Sequence, residues 1–313
     1  MLGRKLVQRL THKNMLAGAG ISRLVLADVV EALTAPTLSV ANEICDLAEP
    51  GVARDLVRGL PDVIFDLAAV VSGEAEADFE KGYRVNLDGT RLLLEAIRAT
   101  GSGYRPRLVF SSSIAVFGPP YPDVIDDERA TTPLTSYGTQ KAIAELLLSD
   151  YTRRGFVDGI AIRLPTICIR PGEPNLAASS FFSSIIREPL NGREAVLPVP
   201  EDIRHWFASP RTAVDFLVRA AEIDSDALGN RRCITMPGVS ATVAEQIDAL
   251  RRVGGEKAVR LIRREPDEQV TRIVRTWPGR FAAHHAGALG FRAETSFDEI
   301  IRVYVNDELG GQI

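Results

Sequence analysis

A chain of 313 residues, 45% hydrophobic and 25% charged, is long enough for one large domain or two intimate ones with a buried core, which excludes a disordered polypeptide. Its 37 basic and 41 acidic groups leave a net charge of −4, so nothing in the charge balance points to nucleic acid or an anionic membrane as partner. No apolar run reaches the roughly 18 residues of a membrane span, and the longest, around Val63–Val71, is broken by Asp66.

The N-terminus opens directly into a helical pattern with no signal-peptide core. Three scattered cysteines, Cys45, Cys168 and Cys233, show neither metal-ligand spacing nor a disulfide framework. A cytoplasmic protein is expected, its cysteines reduced and buried as small hydrophobes.

In chain order, Met1–Leu10 reads as a helix and Leu24-Val25-Leu26-Ala27-Asp28 as the first strand. Val63-Ile64-Phe65-Asp66-Leu67, Arg107-Leu108-Val109-Phe110-Ser111 and Ile160-Ala161-Ile162-Arg163-Leu164 are the strands that follow. These runs are apolar on both faces, as strands buried within a parallel sheet should be. Val85–Thr100 and Tyr137–Tyr151 are amphipathic over enough length to form crossover helices between them. After Pro165 the texture turns to Arg170-Pro171-Gly172-Glu173-Pro174-Asn175, where a second, smaller unit begins. The helical Thr212–Ile223 and the strand-like Arg232-Cys233-Ile234-Thr235-Met236 return to the first unit. The expected architecture is α/β: a doubly wound Rossmann-type parallel sheet over residues 1–164, rejoined by about 206–237, with a smaller mixed C-terminal substrate domain interleaved within 165–313.

A dinucleotide-binding βαβ unit begins with a strand and a Gly-rich turn whose backbone N–H groups hold a pyrophosphate at the N-terminus of the next helix. Here Met1–Leu10 reads as that helix, with Gly3 at the third glycine of a G-x-x-G-x-x-G loop; the strand and the two earlier glycines would lie upstream of Met1. A strand absent from the middle of the sheet leaves the chain as written with low expected stability and weak NAD binding, a late start codon or a fragment being the simplest explanation. About twenty-five residues beyond Gly3, Asp28 ends an apolar strand where a carboxylate accepts the hydroxyls of the adenosine ribose. With no Arg in Val29-Val30 to receive a 2′-phosphate, Asp28 favours NAD; a plain strand terminator is the alternative. Asp46 has the same two sides, a contact to the adenine amine or a turn aspartate.

Ser136-Tyr137-Gly138-Thr139-Gln140-Lys141 opens a helix, and Ser111-Ser112-Ser113 closes the strand before it. Tyr137 and Lys141, four apart, project from one helical face. A phenol with an ordinary pKa of roughly 10 is a poor base at neutral pH, but an ammonium and an oxidised nicotinamide both favour its phenolate. Tyr137 then accepts a proton while Ser113 hydrogen-bonds the substrate oxygen, which together make a hydride-transfer site. Without the Ser strand, an exposed i, i+4 pair would account for Tyr137 and Lys141.

Tyr137-x-x-x-Lys141, Ser111-Ser112-Ser113 leading to Phe117-Gly118, and Asn86-Leu87-Asp88-Gly89-Thr90 resemble the extended short-chain dehydrogenase/reductase family, which includes nucleotide-sugar epimerases and dehydratases. The likeness covers nearly the whole chain. It implies that Ser113, Tyr137 and Lys141 form the catalytic set, that Lys141 also binds the nicotinamide ribose, and that Asn86 kinks its helix within a proton relay. It further implies NAD as cofactor, contacts to it from Leu67, Ala68 and Ala69 in the strand end Phe65-Asp66-Leu67-Ala68-Ala69, and a homodimer through Val85–Thr100 and Tyr137–Tyr151. Many relatives carry His at the position of Asp66.

Within the family, the strings from Asp66 to Glu76, from Arg163 to Gly172 and from Ala177 to Phe182 resemble the D-erythronate dehydrogenases. That likeness implies oxidation of the C2 hydroxyl of a four-carbon sugar acid, with NAD, to the 2-keto acid. An aldonate needs a cation for its carboxylate and polar partners for its hydroxyls; Arg170, Asn175, Arg204, Ser72 and Thr166 are the candidates. Plain structural readings stand beside them: an ion pair for Arg170, a turn for Asn175, a solvated loop for Arg204. His205 and Phe181-Phe182 either line the cleft or fill the core. The expected function is thus an NAD-dependent dehydrogenase of a small sugar acid. The alternatives are a nucleotide-sugar epimerase or dehydratase that retains and recycles tightly bound NAD, and a non-catalytic dinucleotide binder, against which the complete Ser–Tyr–Lys set stands.

Overall fold

The computed structural model describes residues 1–31, 39–172 and 179–312. The elements of its first part are α1 (Leu2–Lys13), β1 (Leu24–Asp28), β2 (Val40–Ile44), β3 (Val63–Asp66), α2 (Ser72–Ala77), α3 (Phe79–Tyr83), α4 (Gly89–Thr100), β4 (Arg107–Ser113), α5 (Ser136–Arg153) and β5 (Asp158–Leu164). They are followed by β6 (Thr166–Ile167), α6 (Ser180–Leu190), β7 (Arg204–Ala208), α7 (Pro210–Glu222), β8 (Cys233–Thr235), β9 (Val239–Thr242), α8 (Val243–Val259) and, near the C-terminus, α9 (Phe297–Glu308).

β8, β5, β4 and β3 lie in that order in one all-parallel sheet. Side chains alternate across it because successive Cβ atoms of a strand point to opposite faces. Val109, Ile160 and Ile162 meet Leu6 and Leu10 of α1 and Phe216 and Leu217 of α7 on one face. Leu108, Phe110 and Ala161 meet Leu94 and Ile97 of α4 and Ala144 and Leu148 of α5 on the other. Cover on both sides is what makes these runs uniformly apolar.

β1 departs from that pattern. It pairs with β2 alone, Val25 is 40% exposed, and Ala27 and Asp28 face solvent. Among the described residues no backbone ladder joins β1 to β3, so the inner edge of β1 lacks a neighbour to cover it. A cavity of about 2570 Å³, lined by β1, β3 and α1, opens in that place.

The crossover expected over Val85–Thr100 is also not one helix. α3 runs into a π-helical turn at Arg84–Asp88, and α4 starts only at Gly89. The fully buried Asn86 anchors this wider turn by hydrogen bonds to Val70 and Gln140, and such single π turns recur at functional sites.

β9, β7 and β6 form a three-stranded sheet, β7 antiparallel to β9 and parallel to β6. Its core combines Phe182, Ile185 and Ile186 of α6 with Phe207, with Ile247 and Leu250 of α8, and with Ile300 and Ile301 of α9. α7 and β8 pack back onto the four-stranded sheet, and Ala286 and Phe291 join the same cluster. Cys168 is buried, while Cys45 and Cys233 are half-buried, so only one of the three is the fully enclosed hydrophobe expected. Among the described residues no helix is long and apolar enough to cross a membrane.

Candidate active site

β4 ends in Ser113, whose Oγ accepts from Ala115 N at 3.1 Å and so caps the 3₁₀ turn Ile114–Val116. α5 starts against that turn. Thr135 is its N-cap, its Oγ1 accepting from Gly138 N at 3.1 Å, and Ser136 N donates to Glu76 Oε2 at 3.0 Å. Tyr137 therefore stands in the first helical turn, with Lys141 one turn further along the same face.

Gly138 allows the contact between the two elements. A Cβ there would fall 2.2 Å from the Ala115 carbonyl oxygen, a backbone atom that cannot move aside cheaply. Gly138→Ala is expected to push α5 off the strand end, costing about 1–3 kcal/mol in stability and roughly 100-fold in turnover as Ser113 and Tyr137 separate. Thermal unfolding and initial rates on the same preparation check this; an active Gly138→Ala protein of unchanged Tm would contradict it.

Ser113, Tyr137 and Lys141 all line the large cavity. Tyr137 is half-buried; burial pushes its phenol up to about 12, against the opposing effect of the Ser113 hydroxyl. Lys141 is 1% exposed and its Nζ has no hydrogen-bond partner among the described residues. The ammonium lies 4.5 Å from the Phe110 ring centroid and 5.8 Å from that of Tyr137. Burial brings Lys141 down to about 8, held from falling further by the charges of Asp66 and Glu145.

Asn86 Oδ1 accepts from Val70 N at 2.9 Å, and its Nδ2 donates to Val70 O at 3.2 Å and to Gln140 Oε1 at 2.7 Å. Sequence reasoning assigned no role to Gln140 or Thr90 and noted Asp66 only as a position where many relatives carry His; all three share this buried polar layer. The available signal was a glutamine between Tyr137 and Lys141, turned into the protein where a core helix carries apolar residues.

On the cofactor side, Gly3, Asp28, Leu67, Ala68 and Ala69 line the cavity, with Gly3 packed near Leu67. Asp28 Oδ1 accepts from Val30 N at 3.4 Å, which leaves its carboxylate open to further donors. Asp46 lines the cavity too, but both its oxygens are engaged, one by Ala48 N at 2.9 Å and one by Arg84 at 2.6 Å, and the guanidinium holds its carboxyl below the usual range. A long cavity, a carboxylate at one strand end and an orphaned buried ammonium at the other suit a dinucleotide whose ribose hydroxyls would satisfy both.

On the substrate side, Ser72, Thr166 and Arg170 line the same cavity. Arg170 donates weakly to Ser179 Oγ at 3.5 Å and has no carboxylate partner among the described residues; burial and the nearby Arg187 lower it from the ordinary guanidinium value. Thr166 Oγ1 lies 2.6 Å from His205 Nε2, and His205 stacks on Phe182 with centroids 5.2 Å apart. Burial takes His205 down to about 3, so it is a neutral, packed imidazole that orients Thr166. Phe181 and Phe182 are core residues. Arg204 does not come to the cavity: it pairs with Glu245 at 3.1 Å and donates to Ser240, because the antiparallel register sets it opposite Thr242, the cap of α8. Asn175 lies outside the described residues.

The sequence profile of the NAD dependent epimerase/dehydratase family matches residues 1–222. The chain is similar to a D-erythronate dehydrogenase of Cupriavidus necator, 49% identical over 306 residues that cover 98% of this chain and 94% of that protein. It is similar to a D-erythronate dehydrogenase of Haemophilus influenzae, 43% identical over 98% of this chain and 96% of that one. Among solved structures, a nucleoside-diphosphate-sugar epimerase from Agrobacterium tumefaciens matches with a TM-score of 0.97 at 62% identity, over 99% of this chain and 92% of that chain.

Proposed function

The chain belongs to the NAD dependent epimerase/dehydratase family and is an NAD-dependent oxidoreductase acting on CH–OH groups, and from that premise we propose that it oxidises the C2 hydroxyl of D-erythronate to the 2-keto acid. The observation that carries the chemistry is the buried Lys141 ammonium, without a hydrogen-bond partner among the described residues, on one cavity wall with Tyr137 and Ser113. NAD, when bound, supplies the acceptor for the hydride that leaves C2. Tyr137 takes the proton of the C2 hydroxyl at its phenolate oxygen, and Ser113 holds that same substrate oxygen. An ammonium this close to the phenol favours its phenolate, and the N–H donors of Lys141, which meet no hydrogen-bond partner among the described residues, suit ribose hydroxyls. Asn86 acts through the π turn, since its carboxamide is already used by Val70 and Gln140. The balance is one hydroxy acid and NAD consumed, one keto acid, one NADH and one proton formed.

The sugar-acid class is supported by the names of the two relatives and by Arg170, a cation on the cavity wall with no carboxylate partner among the described residues. Ser72 and Thr166 take substrate hydroxyls in this reading; Gly3, Asp28, Leu67, Ala68 and Ala69 take the cofactor, and Asp46 serves its turn. A homodimer through α4 and α5 fits the outer face of α5, where Leu146 is 70% exposed.

The test is NADH formation by purified protein given NAD and D-erythronate. One NADH per keto acid is expected, with slower turnover on NADP because Asp28 repels a 2′-phosphate. The epimerase reading has one observation in its favour, the description of the 62% identical solved structure. Tightly bound NAD and a nucleotide sugar converted with no net NADH would decide for it.

A further inference from the structure

Two buried ionisable groups of opposite type line this site, burial raising the Asp66 carboxyl and lowering the Lys141 ammonium, and neither has an ion-pair partner among the described residues. Asp66, 4% exposed at the C-terminal end of β3, pairs in register with Phe110 of β4, and Lys141, 1% exposed, sits over the Phe110 ring. Asp66 Oδ2 accepts from Thr90 Oγ1 at 3.0 Å, and its main-chain carbonyl accepts from Ser111 Oγ at 3.0 Å, so the carboxylate is fixed by α4 and the strand end by β4. Both residues line the same cavity.

The other ionisable groups facing Lys141 are Tyr137 and Glu145, one helical turn to either side on α5. Glu145 is already taken. Arg163 of β5 reaches both its oxygens, Nε at 2.9 Å and Nη2 at 2.7 Å, and Ser112 Oγ donates to it as well. Arg163 thus offsets part of its charge where Lys141 stands, and Asp66 acts on Lys141 more strongly than Glu145 does. Asp66 is the remaining carboxylate, and a buried ammonium without a counter-charge is expensive enough to lose its proton.

We propose that Asp66 is a positioning residue for the hydride-transfer site, the buried counter-charge that keeps Lys141 an ammonium and aims it at the cavity. The electrostatics run the same way, since Asp66 raises Lys141 and Lys141 lowers Asp66 against the desolvation of each. The link to catalysis rests on the Ser–Tyr–Lys reading above; the Asp66–Lys141 coupling itself does not.

The chain has five lysines, so its lysine side-chain NMR signals are few enough to follow through a pH titration, with the Lys141 signal identified by its loss in Lys141→Met. In Asp66→Asn, of nearly the same shape, Lys141 is expected to lose its proton at least about one pH unit lower than in the unaltered protein. The alkaline limb of the pH–rate profile for NADH formation should move down by a similar amount, with KM for the sugar acid little changed. Thr90→Val, which leaves the carboxylate in place but removes its donor, should shift Lys141 in the same direction by less; it decides the matter if Asp66→Asn does not fold. An unmoved Lys141 titration in the folded variant overturns the proposal. Absence of NADH from D-erythronate alongside a shifted Lys141 would instead count against the substrate reading and keep the coupling.

Discussion

Tyr137→Phe is expected to lower kcat for NADH formation by about 10³- to 10⁴-fold while leaving Tm and NAD binding near those of the unaltered protein. The phenol stands on the cavity wall with Ser113, in reach of the proton it is proposed to take, and removing its oxygen leaves the ring near Lys141 intact. An effect confined to kcat, with kcat/KM falling in parallel, identifies an interaction made in the transition state. A Tyr137→Phe protein with full turnover would sink the mechanism. The rate of the unaltered enzyme should also climb with pH up to the point where Lys141 loses its proton, because the proposed mechanism needs a deprotonated Tyr137 beside a charged Lys141. Burial raises the Tyr137 phenol to about 12 and lowers Lys141 to about 8, the wrong order for that, and the positive charge of bound oxidised nicotinamide would favour the phenolate.

Arg170→Met is expected to cut kcat/KM for D-erythronate by roughly 30- to 150-fold, the worth of about 2–3 kcal/mol for a charge-assisted contact, and mostly through KM. Met keeps the length and apolar stem of the side chain and removes only the guanidinium. The control is erythritol, the neutral four-carbon polyol. Any slow oxidation of it should be indifferent to the substitution, since it has no carboxylate for Arg170 to meet. Equal losses on both substrates would show that the Arg170 side chain supports the fold around Ser179, to which its guanidinium donates, and not the substrate.

The strands β3, β4 and β5 and the helix carrying Tyr137 and Lys141 were legible from residue types alone. Runs such as Leu108-Val109-Phe110 need cover on both faces wherever they go, and an i, i+4 pair shares a face in any α-helix. The π turn at Arg84–Asp88 was not legible from residue periodicity, and only the family likeness implied a kink at Asn86, because the turn is held by Val70 and Gln140, which lie 16 and 54 residues from Asn86. Arg204 and Asp46 carried the right chemistry for ligand contacts, yet partners distant in sequence, Glu245 and Arg84, engage them. Asp66 shows the converse. As one acid at a strand end it is unremarkable, and only the pairing of Glu145 with Arg163 makes it the counter-charge that Lys141 needs.

By itself, then, the sequence determined the α/β class, the covered strands and the shared face of Tyr137 and Lys141, because backbone periodicity and two-sided burial depend only on neighbours within a few residues. The tertiary structure decided which charges are cancelled and which are left open to the cavity. That depends on desolvation and on which side chains meet across β3, β4, α4 and α5, and those meetings arise only once the sheet and helices have packed.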